Sequence, residues 1–264
     1  MTVYLGKNPV GVGRIVEKKV AKTKFGATID NFLGDVDADG NYIVPSEPIE
    51  INLAGVKAIK NNFGVSFRGN STLKKFVADD LISVSARVFV GVFEGAAALK
   101  EISMNGIETI DQISVFENFC YSNPALERVT FAKLKEISGV SAFSYAFSGV
   151  KINPDETFPL LETIVGNGAL NNFSKYSNED VYTFSKVKKI NGASTKYTCT
   201  FGSLYVKDTV WNFPSATEFT GYIFYVSSST GEIHFAAANQ AAIEACEGYD
   251  YKWGFQNATI YFDL

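Results

Sequence analysis

The chain has little of the residues from which many functional sites are built. Its 264 residues include one histidine, three cysteines and four arginines, and the formal net charge is -4. Binding to nucleic acid requires clustered positive charge that displaces counterions from phosphates, and this composition does not supply it. No apolar run approaches the ~18 residues that a membrane-spanning helix needs. We therefore expect neither a nucleic-acid partner nor membrane insertion.

The scarce reactive residues are also poorly placed for chemistry. Cys120, Cys199 and Cys246 are odd in number, far apart and free of any C-x-x-C pairing, which argues against a disulfide framework or a zinc site. We expect them to be small buried apolar residues. The single histidine, His234, lies between Ile233 and Phe235, and no serine has a nucleophile motif around it. The sequence thus predicts a structural histidine and no cofactor.

An apolar pattern recurs along the middle of the chain. Copies that begin at Leu73, Leu99 and Leu126 all place apolar residues at offsets 0, 3, 5, 8 and 11. Successive offset-5 residues are 25, 26, 27, 27, 26 and 29 positions apart; they are Leu53, Ala78, Met104, Phe131, Phe158, Phe184 and Phe213. A period in this range predicts a repeat solenoid of about seven units.

The pattern also predicts how each unit folds. Residues at offsets 3 and 5 share one side of a strand, and the residue between them points away. That residue is polar in six of seven repeats, so we expect it to meet water: Asn52, Val77, Ser103, Thr130, Thr157, Thr183 and Asn212. Offsets 8 and 11 are spaced too widely for a strand and indicate a corner. One phenylalanine per unit follows, predicting a stacked aromatic row: Phe67, Phe93, Phe119, Phe147, Phe173 and Phe201.

The unit resembles the BspA-like leucine-rich repeats of bacterial and bacteriophage proteins, which read L-x-x-[IV]-x-[LF]-P-x-L-x-x-I followed by an A-F-x-x-C/G segment. The stretches Phe158–Ile164, Phe213–Phe219 and Tyr145–Gly149 carry the resemblance, which covers roughly residues 48–224. It implies a leucine-rich repeat solenoid with parallel strands on one face, used as a binding and adhesion scaffold. Insertions at 153–156 and 191–200 depart from the regular unit.

The repeat register fails at both ends of the chain. Residues 1–47 contain no copy, and 3–5 with 10–12 predict a hairpin in a separate N-terminal module. Their sequence is similar to the front end of leucine-rich repeat proteins encoded by phages and prophages of gut Firmicutes. Residues 48–230 form the predicted solenoid. Residues 231–264 predict a strand, a helix and a strand that cap the last coil.

The outward strand residues are the principal candidate binding surface, because solenoids bind ligands on such extended faces. They are Glu50, Asn52, Lys75, Val77, Asp79, Glu101, Ser103, Asn105, Arg128 and Thr130. An aromatic patch near the C-terminal end is the competing surface: Trp211, Tyr222, Tyr225, Tyr249, Tyr251, Trp253 and Tyr261. Asp35, Asp37 and Asp39 match the front half of a calcium loop, but position 12 is Ser46, so a solvated turn is the simpler interpretation.

These observations predict a non-enzymatic protein for recognition or attachment, with a protein or glycan on a cell surface as its ligand. The favoured setting is a phage or prophage tail-associated protein whose residues 1–47 dock to other virion proteins. The alternatives are a bacterial cell-surface adhesin and, on an acid pair drawn from Asp79, Glu101 and Asp155, a carbohydrate-active enzyme. Residues 1–10 lack the pattern of a secretory signal, so we expect a virion-associated or cytoplasmic location, or the cell surface if a leader precedes them.

Overall fold

A computed structural model describes residues 2–4, 19–22, 28–32, 49–60, 67–173, 181–191, 200, 210–221, 231–245 and 258–264. The strands up to the fourth full coil are β1 (Thr2–Tyr4), β2 (Lys19–Lys22), β3 (Thr28–Phe32), β4 (Ile49–Asn52), β5 (Ala58–Lys60), β6 (Leu73–Val77), β7 (Ser83–Val84), β8 (Glu101–Ser103), β9 (Thr109–Ile110), β10 (Arg128–Thr130) and β11 (Glu136–Ile137). The remaining elements are α1 (Pro154–Thr157), β12 (Thr163–Ile164), β13 (Val181–Thr183), β14 (Lys189–Asn191), β15 (Val210–Phe213), β16 (Glu218–Thr220), β17 (Gly231–Phe235), a 3-10 turn (Ala237–Asn239), α2 (Gln240–Glu244) and β18 (Ala258–Phe262).

The chain is a parallel β-solenoid, as the repeat period predicted. Strands at offsets 2–4 pair in the order β1-β4-β6-β8-β10, and the later ones in the order β13-β15-β17-β18, all in parallel. We call these two sheets the first face. Equivalent residues lie side by side, so that Phe76 pairs with Ile102 and Ile102 with Val129. This register places the apolar offset-3 residues in one interior row.

A second strand in each unit forms a second face that the sequence did not predict. Two- and three-residue strands at offsets 10–12 pair in parallel in the order β9-β11-β12-β14-β16. At the N-terminal side, a separate four-stranded sheet has the order β2-β3-β5-β7, in which β5 and β7 pair in parallel while β3 pairs antiparallel with both β2 and β5. Such short strands show no alternation of their own, and stacking of one coil on the next sets their register.

In the four coils where the third side is described, that side consists of turns rather than strands. This turn face comprises residues 86–96, 113–123, 140–150 and 167–173. Every second N–H donates to the next coil: Arg87, Phe89 and Gly91 reach carbonyls 26 residues further on at 2.9–3.0 Å. Several of the alternate N–H groups bond within the coil to carbonyls three residues back, as those of Val92, Glu94 and Ala96 do. Most of the backbone donors on this side are thereby bonded without a strand.

The predicted interior residues form the core. Those at offset 5 are at most 3% exposed, and those at offset 8 at most 1%. The phenylalanine row is confirmed in two segments, with ring centroids 5.8 Å apart for Phe67–Phe93, 5.1 Å for Phe93–Phe119 and 5.0 Å for Phe147–Phe173. Phe116 and Phe143, which stack at 4.9 Å, connect the two segments, and Phe201 lies outside the described residues. These contacts hold each coil to its neighbours, as a repeat architecture requires.

Two details of the predicted unit are wrong. Thr157 lies in α1 rather than in a strand and is 2% exposed, because the inserted residues 153–156 form a helical turn at that position. Ser103 and Thr130 were expected to meet water but are 7% and 8% exposed. Asp79 and Asn105 bond to the Ser103 hydroxyl and cover it, and α1 packs beside β10, which contains Thr130.

The ends of the chain share the parallel pairing of the repeats. In β1, Val3 pairs with Ile51, while the second half of the predicted hairpin, residues 10–12, lies outside the described residues. Near the C-terminus, the predicted strand, helix and strand are present as β17, α2 and β18. Because β17 pairs with both β15 and β18, the last strands continue the first face.

Candidate functional site

The first face brings together the outward residues that the sequence singled out. Glu50, Lys75, Glu101 and Arg128 occupy successive rungs at one register position. Their charges alternate along the solenoid, and Lys75 Nζ lies 2.8 Å from a Glu101 carboxylate oxygen. Such exposed ion pairs stabilise the protein only modestly. Their alternation also disfavours incorrect stacking of the coils, because like charges on adjacent strands repel each other.

The second register position of the first face is largely polar and mostly covered. Asn52, Val77, Ser103 and Thr130 follow one another along it. Asn52 and Val77 are half-buried, and Ser103 and Thr130 are buried. This row therefore offers a ligand little more than the edges of its side chains.

Polar side chains at the ends of the strands bond from coil to coil. Asp79 Oδ1 accepts from the Ser103 hydroxyl and from the Asn105 N–H, the latter at 3.0 Å. Asn105 Oδ1 in turn accepts from the Ala132 N–H at 2.8 Å. Three of the predicted binding residues, Asp79, Ser103 and Asn105, thus serve the stacking of the repeats. Asp79 itself stays exposed to solvent.

The first face is interrupted at α1. Asn153 caps this helix by accepting from the Asp155 N–H at 3.1 Å, and Pro154 occupies its first turn, both favourable at a helix start. The sheet that ends at β10 has no strand partner on this side among the described residues, and the ladder resumes at β13. A single repeat therefore breaks the regularity of the surface.

A groove of about 460 Å³ lies between β10 and α1. Its floor is apolar, since Leu126, Val129 and Ile152 are 3–6% exposed. Its rim is charged and polar: Glu127, Arg128, Lys151, Asn153 and Glu156. Apolar surface with a few polar groups around it is typical of ligand sites. Of the ten predicted binding residues, Arg128 lines this groove.

The insertion Asn153-Pro154-Asp155-Glu156 departs from the repeat, and it also contains a sequence signal for this groove. It carries the three marks of a helix start, namely an asparagine cap, a proline at the first position and acids in the first turn. Because a helix is wider than the spacing between two paired strands, α1 leaves space between itself and β10.

The carboxylates considered for glycoside hydrolysis each have a partner in the scaffold. Asp79 accepts from Ser103, Glu101 pairs with Lys75, and Asp155 accepts from the Ser185 N–H at 2.7 Å. The three groups belong to different coils, and none of them lines the groove beside α1. They act as acceptors for neighbouring coils.

His234 is half-buried rather than exposed. Its Nδ1 lies 2.7 Å from Asp263 Oδ1, its Nε2 lies 3.3 Å from Glu232 Oε2, and its ring stacks on Tyr261 at 4.6 Å. The contacts to Asp263 and Tyr261 tie β17 to the end of the chain. This arrangement agrees with a structural histidine.

Trp211 is not part of the competing aromatic surface, because its side chain is buried. Trp211 is 0% exposed and stacks on Tyr182 at 4.6 Å, because it occupies an inward offset-3 position of β15. Tyr261 is 37% exposed. The other members, Tyr222, Tyr225, Tyr249, Tyr251 and Trp253, lie outside the described residues.

The remaining candidates concern metals, thiols and membranes. Asp35, Asp37 and Asp39 lie outside the described residues, within which no cluster of three ligating side chains suits a metal ion.

Cys120 is a buried free thiol, and burial raises its pKa well above the usual value, which keeps it unreactive. Cys199 and Cys246 are not among the described residues. No helix in the described part of the chain is long and apolar enough to span a bilayer.

Comparison of the chain with protein-family models, curated proteins and solved structures gave no significant match.

Proposed function

We propose that this chain is a non-enzymatic binding protein that uses its repeat surface for recognition or attachment. The observation that carries the proposal is the groove beside α1. Elsewhere on the first face, side chains pair from coil to coil, as Lys75 does with Glu101. Beside α1 the strand ladder is interrupted, and an apolar floor lies at the bottom of a groove between charged side chains.

The groove suits a partner with an apolar group flanked by charges of both signs. Arg128 and Lys151 supply positive charge, while Glu127 and Glu156 supply negative charge. Lys100 Nζ lies 2.6 Å from Glu127 Oε1, which reduces the acidic character of that side of the rim. A protein ligand with a partly apolar side chain would cover the apolar floor, and its polar groups would bond to the charged side chains of the rim.

The setting we propose is a phage or prophage tail-associated protein with BspA-like leucine-rich repeats. The parallel solenoid and its period of 25–29 residues support a repeat scaffold of this kind. Residues 1–47 would dock the scaffold to other virion proteins. The same surface would serve a cell-surface adhesin, so the recognition step is the part to test first.

The test measures retention of the fluorescently labelled full-length chain on intact cells from a panel of gut bacterial strains. The groove variant combines Arg128→Ala, Lys151→Ala and Glu156→Ala. The matched control combines Lys133→Ala, Lys186→Ala and Asp111→Ala, which also removes two positive charges and one negative charge from exposed positions. We expect strain-specific retention that the groove variant lowers at least tenfold and the control leaves unchanged.

Two results would contradict the proposal. Absence of retention on every strain would remove attachment to cells as the function. Equal loss in the groove variant and the control would show a general effect of surface charge and no specific role for the groove. Thermal unfolding of all three proteins, expected to agree within a few degrees, verifies that the variants are folded.

A further inference from the structure

The turn face carries a second groove, and its most unusual feature is a backbone conformation. Along the described part of the turn face a residue with positive φ recurs every four positions within a coil, as in Ser114, Asn118 and Ser122. Inter-coil bonds stack one such position into a row: Gly91, Asn118, Tyr145 and Asn172, with φ of 61°, 53°, 54° and 50°.

Tyr145 is the exception in this row. Glycine has no Cβ to clash in the left-handed region, and asparagine tolerates it better than other residues do. A bulky side chain there is a genuine outlier and costs free energy. Asn118 and Asn172 show that the row accepts asparagine on both neighbouring coils. The backbone therefore does not explain the tyrosine, and its side chain must supply the reason.

The Tyr145 side chain lines a groove of about 500 Å³. Two of its lining residues, Val90 and Gly91, have small side chains or none. The other lining residues are Arg68, Glu94, Glu117, Asn118, Tyr121 and Tyr145. Both tyrosines are half-buried, so each presents part of its ring to the space. Two aromatic rings from adjacent coils thus stand beside planar polar groups.

The charges in the groove narrow the choice of ligand. Arg68 Nη2 lies 2.5 Å from Glu94 Oε1, so these two charges offset each other. Glu117 has no ion-pair partner among the described residues. The groove is therefore weakly negative, which disfavours phosphate, sulfate and nucleic acid. Its carboxylate, amide and phenol groups instead suit a neutral ligand with many hydroxyls.

We infer that this groove is a saccharide-binding subsite. A pyranose ring presents C–H groups on its face and hydroxyls around its edge. The face packs on an aromatic ring, and the hydroxyls bond to carboxylate and amide groups placed beside it. Tyr121 and Tyr145 supply the rings, and Glu117 and Asn118 supply the polar partners. The inference rests on the proposed recognition function and gives that function a ligand class.

The experiment is calorimetric titration of the purified full-length chain with maltohexaose, cellohexaose and chitohexaose. We expect at least one of these to bind with a submillimolar Kd. Tyr121→Ala and Tyr145→Asn should each weaken that binding at least tenfold. The control Leu160→Ala removes an exposed apolar side chain from another part of the molecule and should leave the binding unchanged.

Tyr145→Asn separates a ligand-binding role from a structural one. Because asparagine suits the backbone conformation, the variant should keep or raise Tm while it loses saccharide binding. Unchanged binding in this variant, a lowered Tm accompanying its loss of binding, or no binding of any of the three sugars by the wild-type chain would overturn the inference. Tyrosine-dependent binding of choline chloride without any sugar binding would overturn it as well and assign the groove to cations.

The two proposals fail separately, because the titration contains no cells. Sugar binding that depends on Tyr145, without retention on any strain, would support the subsite and overturn attachment to cells. Retention that depends on Arg128, Lys151 and Glu156, without sugar binding, would support attachment through the groove beside α1 and overturn the subsite.

Discussion

The first face and the turn face stack the same coils with the same period, but they do so by different means. On the first face, extended strands pair in register and charges alternate between coils, as in Lys75 and Glu101. On the turn face, backbone bonds to the next coil alternate with bonds inside the coil, and every fourth residue has positive φ.

The difference shows where the sequence is constrained. An outward strand position requires no unusual backbone conformation, so on the first face the choice of residue depends mainly on its neighbours in the adjacent coils. The turn face favours glycine or asparagine at its positive-φ positions, and any other residue there, such as serine, arginine or tyrosine, carries a conformational cost. A residue such as Tyr145 is informative for that reason. The following substitutions test the comparison, from the largest expected effect to the smallest.

Gly139→Ala should destabilise the chain most, because it blocks the close approach of two coils where the turn face begins. A Cβ at position 139 would lie against the Gln112 carbonyl, 2.9 Å from its carbon atom. The backbone would have to move, at a cost of about 3 kcal/mol in the free energy of unfolding. Urea unfolding followed by circular dichroism measures this.

The matched variant is Gly69→Ala, where φ is +68° and nothing lies within 4 Å of the added carbon. It should cost about 1 kcal/mol through backbone conformation alone. Equal losses of stability in the two variants would contradict the view that close approach of the coils at position 139 requires glycine.

Asp79→Ala tests the bonding between strand ends on the first face. The change leaves the Ser103 hydroxyl and the Asn105 N–H without their acceptor. Because Asp79 is exposed and water replaces part of the loss, we expect about 1 kcal/mol of destabilisation, measured by urea unfolding. Asp79→Asn keeps an acceptor oxygen and should cost less than half as much. If both variants lose the same stability, the carboxylate charge matters and the hydrogen bonds do not.

Arg87→Gly should stabilise the chain by about 0.5 kcal/mol. Arg87 is exposed and has φ of +58°, so glycine relieves a left-handed conformation, and this gain exceeds the entropy that glycine loses on folding. The neighbouring substitution Ala86→Gly, at a residue without positive φ, should destabilise by about 0.5 kcal/mol. Differential scanning calorimetry distinguishes the opposite signs. Destabilisation by both changes would show that positive φ is not costly at this position.

Much of the interior was predictable because burial follows the period directly. Residues such as Met104, Ile107 and Ile110 recur at the same offsets in each unit, and each is fully buried. The phenylalanine row followed from the same spacing. The candidate sites were harder to predict. The repeat pattern places Arg128 on a strand, but the groove that it lines depends on α1, and the same pattern gives Tyr145 only a place in the repeat motif.

By itself, the sequence determined that the chain is a repeat solenoid and which side chains face its interior. Those properties depend on the spacing of the apolar residues, and the same spacing is present in each repeat. Only the tertiary structure decided the second face, the alternating bonds of the turn face, the interruption at α1 and the pairing of Asp79 with Ser103. These depend on how closely one coil approaches the next, and residues about 26 positions apart meet only after the coils have stacked.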